Sequence, residues 1–183
     1  MIRQWLIRSW ARRDTHHEFH FPGDLQQARR VLVLMPTAIE EMRQSEFFLA
    51  RLPQAFPSGK VTLLYPPKSL APRFSNPYGY TVVVPTAAQV GWWGMPRRSF
   101  LQELFAEPYD VVITLNKEST VFYAAVAIAS QTALRIGLPN GMGRPFVTVE
   151  LRHGRGATDI KTEFILYIEM IRKLAASSAP ASA

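Results

Sequence analysis

The sequence predicts an α/β fold with a mostly parallel sheet. Residues 31–35 (VLVLM) and 109–115 (YDVVITL) are short, continuous apolar runs. Such runs are typical of strands that are buried on both faces of a parallel sheet. Segments with helical spacing of apolar residues alternate with these runs, which indicates helices on both sides of the sheet. The expected architecture is therefore a Rossmann-like three-layer sandwich.

The first three predicted elements form a β–α–β unit. The strand at residues 31–35 is followed by Thr37 and Glu40 in a T-x-x-E pattern. This pattern is typical of a capping box, in which the two side chains satisfy backbone groups at a helix start. It predicts a helix over residues 38–52, before the second strand at residues 60–65 (KVTLLY).

The rest of the chain continues the alternation. Residues 119–130 are apolar almost all round, so this helix should be covered by the domain itself or by a partner protein. Trp92 and Trp93 lie in a turn-rich segment, which we interpret as a hydrophobic lid over the sheet edge, with an aromatic ligand platform as the alternative. The other predicted elements are strands at 80–84, 134–138 and 146–151, a helix at 98–106 capped near Ser99, and a helix at 159–174.

The domain organisation predicted from these elements is simple. A chain of 183 residues usually forms one domain, here residues 24–174. Residues 1–23 are expected to form a basic amphipathic helix and an arm. Residues 175–183 (AASSAPASA) are too small and polar to pack, and they are expected to be disordered.

The charge of the chain favours anionic partners. The formal net charge is +7 and the sequence pI is about 10.1. Arg3, Arg8, Arg12 and Arg13 lie on the predicted N-terminal helix, which also carries two tryptophans. That helix is expected to contact a membrane surface or another anion, or else to dock on its own domain or a partner. No RNA-binding signature is present, so no specific nucleic acid is predicted.

Several classes of site are excluded by composition. The chain has no cysteine, so thiolate metal sites and disulfides are excluded. The turn after the first strand (MPTAIEE) has no glycine and no P-loop occurs, so no nucleotide cofactor is predicted. The histidines near residue 18 lack metal-site spacing, and no metal is expected. Gly137, Gly141 and Gly143 are interpreted as a turn that requires positive φ.

No apolar run reaches the roughly 18–20 residues of a membrane span. The N-terminus also lacks a secretory signal. A cytoplasmic protein is expected, with attachment at the membrane periphery as the alternative.

Candidate ligand-binding residues follow two of the predicted strands. Open α/β sheets bind ligands at the carboxyl ends of their strands. Thr37 and Glu41 follow the first strand, and Asn116 and Lys117 follow the strand at 109–115. Arg144, beside the glycine cluster, is a further anion-binding candidate.

Three segments together resemble a known family. They are VLVLM, EPYDVVITLN and ALRIGLP, which are similar to the amino-terminal half of glycosyltransferase family nine, the lipopolysaccharide heptosyltransferases. The chain also resembles a short bacterial family with a W-F-G-x-P segment, which corresponds to residues 92–96. The resemblance implies a Rossmann-like fold. It also implies Glu41 as general base, if the chain is an enzyme, with Lys117 or Arg144 binding phosphate.

The sequence departs from that family in two ways. The Gly-Asp pair of that family is replaced here by Glu40-Glu41. The carboxyl-terminal donor-binding domain of that family is expected to be absent. We therefore expect a non-catalytic glycosyltransferase-like half-domain that binds a ligand, a partner protein or a second copy of itself. The alternatives are the acceptor-binding subunit of a two-chain glycosyltransferase and a peripheral membrane protein.

Overall fold

The computed structural model describes residues 20–67, 78–117, 120–138, 146–152 and 159–176. The expected N-terminal helix with Arg3, Arg8, Arg12 and Arg13 lies outside the described residues. Arg144, two of the three clustered glycines and residues 177–183 also lie outside them.

Six parallel strands form one sheet in the order β3-β2-β1-β4-β5-β6. In the centre, Val31 aligns with Val61 on one side and with Val111 on the other. The predicted parallel sheet is therefore confirmed. The strands are β1 (Arg30–Leu34), β2 (Lys60–Leu64), β3 (Thr81–Val83), β4 (Val111–Thr114), β5 (Leu134–Gly137) and β6 (Val149–Glu150).

Helices cover both faces of the sheet. They are α1 (Gly23–Gln26), α2 (Ile39–Gln44), α3 (Glu46–Leu49), α4 (Leu52–Ala55), α5 (Arg98–Leu104), α6 (Val121–Ala129) and α7 (Ile160–Ala176), with a 3-10 turn at Ala87–Gln89. Helix α7 extends two residues past the predicted domain boundary at residue 174. Helix α5 begins after Arg97, which makes no side-chain capping bond, rather than near Ser99.

Alternate residues of the central strands enter two separate cores. Val31 and Val33 point to the side of α7 and helices α1 to α4, whereas Leu32 and Leu34 point to the side of α5 and α6. Both sets are fully buried, which explains why these strands read as unbroken apolar runs. The three-layer α/β sandwich is confirmed.

Helix α6 is covered by the domain itself. Its buried face packs with Phe100 of α5 and with Phe146 and Val147, which precede β6. Thr120 caps it by accepting a hydrogen bond from the Tyr123 N–H at 3.2 Å. This helix was expected to be covered either by the domain itself or by a partner protein, and coverage by the domain is observed.

The predicted capping box and single long helix after β1 are wrong. The N-cap is Ala38, one residue later than expected, so Glu40 occupies the second helical position and cannot close the box. Its carboxylate instead accepts from Gln44 at 3.0 Å. The helix breaks at Ser45, whose buried hydroxyl donates to the Met42 carbonyl at 2.6 Å and competes with helical bonding.

Gly137 does not occupy a turn. It lies in β5, it is not among the glycines with positive φ, and a Cβ there would lie 2.6 Å from Val147 Cγ2. Its place in the fold follows from close packing rather than from backbone freedom, which corrects the interpretation of the glycine cluster at this position.

Tyr167 of α7 provides a prediction for stability. Its side chain is buried against Phe48, with ring centroids 5.6 Å apart, and its hydroxyl has no hydrogen-bond partner among the described residues. Burial raises the pKa of Tyr167 well above its ordinary value. Because a buried unpaired hydroxyl costs free energy, Tyr167→Phe should raise the free energy of unfolding in urea by about 1 kcal/mol.

Tyr123→Phe is the matched control. The Tyr123 hydroxyl is equally buried but donates to the Leu64 carbonyl at 3.1 Å. Its removal should lower the free energy of unfolding by about 1 kcal/mol. Equal effects of the two substitutions would contradict the difference in hydrogen bonding.

Candidate functional site

The chain changes direction across the sheet between β1 and β4. The connection after β1 forms α2 to α4 on the side of α7, whereas the connection after β4 forms α6 on the opposite side. Adjacent parallel strands whose connections leave to opposite faces open a crevice at their carboxyl ends, where doubly wound folds bind ligands. We call this place the β1–β4 crevice. Thr37 and Glu41 follow β1, and Asn116 and Lys117 follow β4.

Asn116 joins the two strand ends that form the crevice. Its side-chain amide donates to the Met35 carbonyl at 2.9 Å and to the Leu34 carbonyl at 3.2 Å. The residue is only 1% exposed, and its Oδ1 accepts no hydrogen bond from the described residues. Asn116 therefore has a structural role, and its buried Oδ1 is an acceptor without a donor among the described residues.

Lys117 is already paired. Its Nζ forms an ion pair with Oε2 of Glu163 on α7. Both side chains are largely shielded, with 35% and 14% of their surface exposed. A phosphate at Lys117 would have to compete with this carboxylate. The predicted phosphate-binding role of Lys117 therefore requires the pair to open.

The turn after β1 faces solvent. Thr37 and Glu40 are exposed, and so is Ile39, which is an uncommon position for a large apolar side chain. Glu41 is half-buried in the first turn of α2, where a carboxylate is favoured by the helix dipole. The dipole offers a structural reason for Glu41 that the sequence did not reveal.

Two tyrosines lie at the carboxyl end of β2, and sequence reasoning did not select them. Tyr65 follows β2 directly, and Tyr123 of α6 bonds to the Leu64 carbonyl. Burial raises the pKa of Tyr123 well above its ordinary value, and the neighbouring Tyr65 adds to this. Burial also raises the pKa of Tyr65, with a contribution from Glu46. Both hydroxyls are therefore protonated at neutral pH, and that of Tyr123 holds α6 to the end of β2.

A groove of about 600 Å³ lies elsewhere, between α5 and the amino ends of β1 and β2. Arg30, Lys60, Glu103 and Glu107 contribute its charged groups. Arg30 pairs with Glu107 and lies over the ring of Tyr109 at 5.4 Å, so its charge is compensated. No sequence pattern connects these residues, because they come from separate elements. We favour the β1–β4 crevice as the ligand site, since parallel α/β sheets bind ligands at the carboxyl ends.

The tryptophan segment does not pack as a lid. Trp92 is 97% exposed and Trp93 is 57% exposed. Both lie at the tip of a turn that is closed by a bridge between Val90 and Pro96. The expected packing over the sheet edge is wrong, because the turn directs both side chains away from the domain.

No protein-family model and no curated protein matches the sequence. Solved structures do match the fold. The glycosyl transferase family 9 protein from Veillonella parvula DSM 2008 aligns with a TM-score of 0.57 and 17% identity, over 86% of this chain and 43% of that chain. The chain shares its fold with glycosyltransferase family 9.

The E. coli heptosyltransferase WaaC, solved with ADP, aligns with a TM-score of 0.51 and 18% identity, over 82% of this chain and 47% of that chain. This chain therefore spans less than half the length of either glycosyltransferase-like neighbour. The predicted resemblance to family nine is confirmed at the level of the fold.

Among the described helices, none is long and apolar enough to cross a membrane. Within the same residues, no three histidine, aspartate or glutamate side chains come together as metal ligands.

Proposed function

We propose that this chain is a glycosyltransferase-like domain that binds a ligand in the β1–β4 crevice and does not transfer sugar by itself. The Lys117–Glu163 ion pair is the observation that carries the proposal. An enzyme that handles a phosphorylated donor or acceptor needs a cation free to meet the phosphate. Here the cation that follows β4 is compensated by a carboxylate of the same domain.

The remaining polar groups suit a neutral, hydroxyl-rich ligand. Thr37 is an exposed hydroxyl residue, and Oδ1 of Asn116 is a buried acceptor that a ligand hydroxyl would reach only if the crevice opens. Neutral groups of this kind bind sugar hydroxyls by hydrogen bonds without an opposing charge. The fold shared with glycosyltransferases is consistent with a sugar-like ligand.

Binding can be tested by NMR with two probes, methyl α-mannoside as a neutral sugar and ADP as a phosphorylated ligand. The mannoside should shift the backbone amide signals of residues 35–41 and 115–117, whereas ADP at the same concentration should not. Glu163→Gln frees Lys117 and should raise the affinity for ADP about tenfold or more, since a charge-assisted hydrogen bond contributes roughly 1.5–3 kcal/mol. Strong binding of ADP by the unchanged chain in this crevice would contradict the proposal.

The second candidate function is the acceptor-binding half of a glycosyltransferase, with Glu41 as general base. It is favoured by the position of Glu41 in the first turn after β1, beside the crevice. Release of ADP from an ADP-sugar by a mixture of this chain and a separate donor-binding chain distinguishes the two functions. We expect the same rate with and without the chain. Turnover that falls about 100-fold or more in Glu41→Gln would instead support the enzyme, since general bases contribute roughly 10²–10⁴-fold.

A further inference from the structure

The turn at residues 90–97 is held in one conformation by backbone hydrogen bonds. The N–H of Gly91 donates to the Met95 carbonyl at 2.7 Å, and the N–H of Gly94 donates to the Gly91 carbonyl at 2.9 Å. Gly94 has a φ of +76°, which a residue with a side chain rarely adopts. Trp92 and Trp93 are the two central residues of this turn, so the backbone presents both indoles outward.

Trp92 and Trp93 expose apolar surface that a binding partner can remove from water. A large apolar side chain gains free energy when it leaves water, and these two leave that gain unused. Contiguous exposed apolar surface of this kind marks interaction sites. The residues that line the groove beside α5 include neither tryptophan, so the pair does not belong to that groove.

The charge around the turn is positive. Arg97 and Arg98 follow it directly, are exposed, and form no ion pair with any described residue. No aspartate or glutamate occurs anywhere from residue 47 to residue 102, a stretch that contains four arginines and two lysines. Glu103 of α5 lies at the base of the turn, with its Oε2 3.5 Å from Gln89 Nε2. An acidic surface can therefore approach the tip of the turn without meeting a like charge from residues 47–102.

We propose that the turn at residues 90–97 is a membrane anchor, which inserts Trp92 and Trp93 into the interface of an anionic bilayer. Tryptophan favours the headgroup region, because its indole is apolar along most of its surface and carries one N–H donor. Arg97 and Arg98 then lie at the level of the lipid phosphates. A protruding tip of two exposed indoles fits a fluid lipid interface better than it fits the matched pocket of a protein partner.

Sedimentation with vesicles tests the anchor in the full chain. Vesicles of phosphatidylcholine with 30% phosphatidylglycerol should bind the chain, and pure phosphatidylcholine vesicles should bind it much more weakly. Trp92→Ser with Trp93→Ser should lower the partition coefficient by about 100-fold or more, from the apolar transfer energies. Arg97→Gln with Arg98→Gln should lower it by about tenfold or more, at roughly 1 kcal/mol per arginine.

Trp5→Ser with Trp10→Ser is the matched control, because it removes the same side chains from the basic N-terminal segment. We expect it to keep at least half of the binding, and circular dichroism should show unchanged folding for all three double variants. Unchanged binding after loss of Trp92 and Trp93 would overturn the proposal. Equal binding to neutral vesicles, or loss of binding only in the Trp5 and Trp10 variant, would overturn it as well.

Discussion

Replacing Asn116 by aspartate is expected to lower the free energy of unfolding by about 4 kcal/mol, measured by urea denaturation at pH 7. The two carbonyls of Met35 and Leu34 lose their side-chain donor. A carboxylate of the same shape would face these oxygens at a site that is 1% exposed. The loss of two hydrogen bonds and the burial of a charge against two acceptors act in the same direction.

Asn116→Ala separates these contributions. It removes the donors without a charge and should lower the free energy of unfolding by about 2 kcal/mol. The aspartate variant should therefore be clearly the less stable of the two. If both variants lost the same stability, the amide would not be facing the two carbonyls, and its role at the β1–β4 crevice would have to be reconsidered.

The second large effect is expected at Gly137. A Cβ at this position would lie 2.6 Å from Cγ2 and 2.9 Å from Cγ1 of Val147, and 3.2 Å from Cγ2 of Thr114. Val147 is buried and cannot move aside without disturbing its neighbours in the core. Gly137→Ala should lower the free energy of unfolding by about 2–3 kcal/mol, as expected for overpacking. Thermal or urea unfolding measures this loss.

A double-mutant cycle with Val147→Ala shows whether the clash is the cause. Val147→Ala alone leaves a cavity and should also destabilise the protein. In the double variant, however, the smaller side chain makes room for the new Cβ. Its loss of stability should therefore be smaller than the sum of the two single losses by at least about 1 kcal/mol. Strict additivity would show that the contact with Val147 is not the cause of the loss.

The strands could be predicted almost completely from sequence, whereas the start and the length of the helix after β1 could not. Residues 31–35 and 109–115 were recognisable because burial on both faces leaves a local apolar run. The predicted start of the helix after β1 is wrong because Thr37 lies one residue before the true N-cap, Ala38. Ser45 then interrupts the helix through a bond to Met42, and this competition between side chain and backbone has no periodic signature.

The sequence predicted which residues follow the carboxyl ends of β1 and β4, but not which of them already have partners in the fold. Carboxyl-end positions follow from strand order, so Thr37, Glu41, Asn116 and Lys117 could be selected before any coordinates were known. Whether these side chains are free to bind a ligand depends on contacts with residues that are distant in sequence. No property of the segment around Lys117 indicates that its ammonium group meets Glu163 on the last helix.

The sequence by itself determined the class of fold, the parallel sheet and its strands, because these depend on apolar patterns within a few neighbouring residues. Only the tertiary structure decided which polar groups are already used and which apolar groups are left exposed. The side-chain amide of Asn116 donates to the carbonyls of Met35 and Leu34, which lie 81 and 82 positions earlier in the chain. Trp92 and Trp93 are exposed because a closed turn directs them away from every core. Both outcomes arise from contacts, or their absence, between segments that only folding brings together.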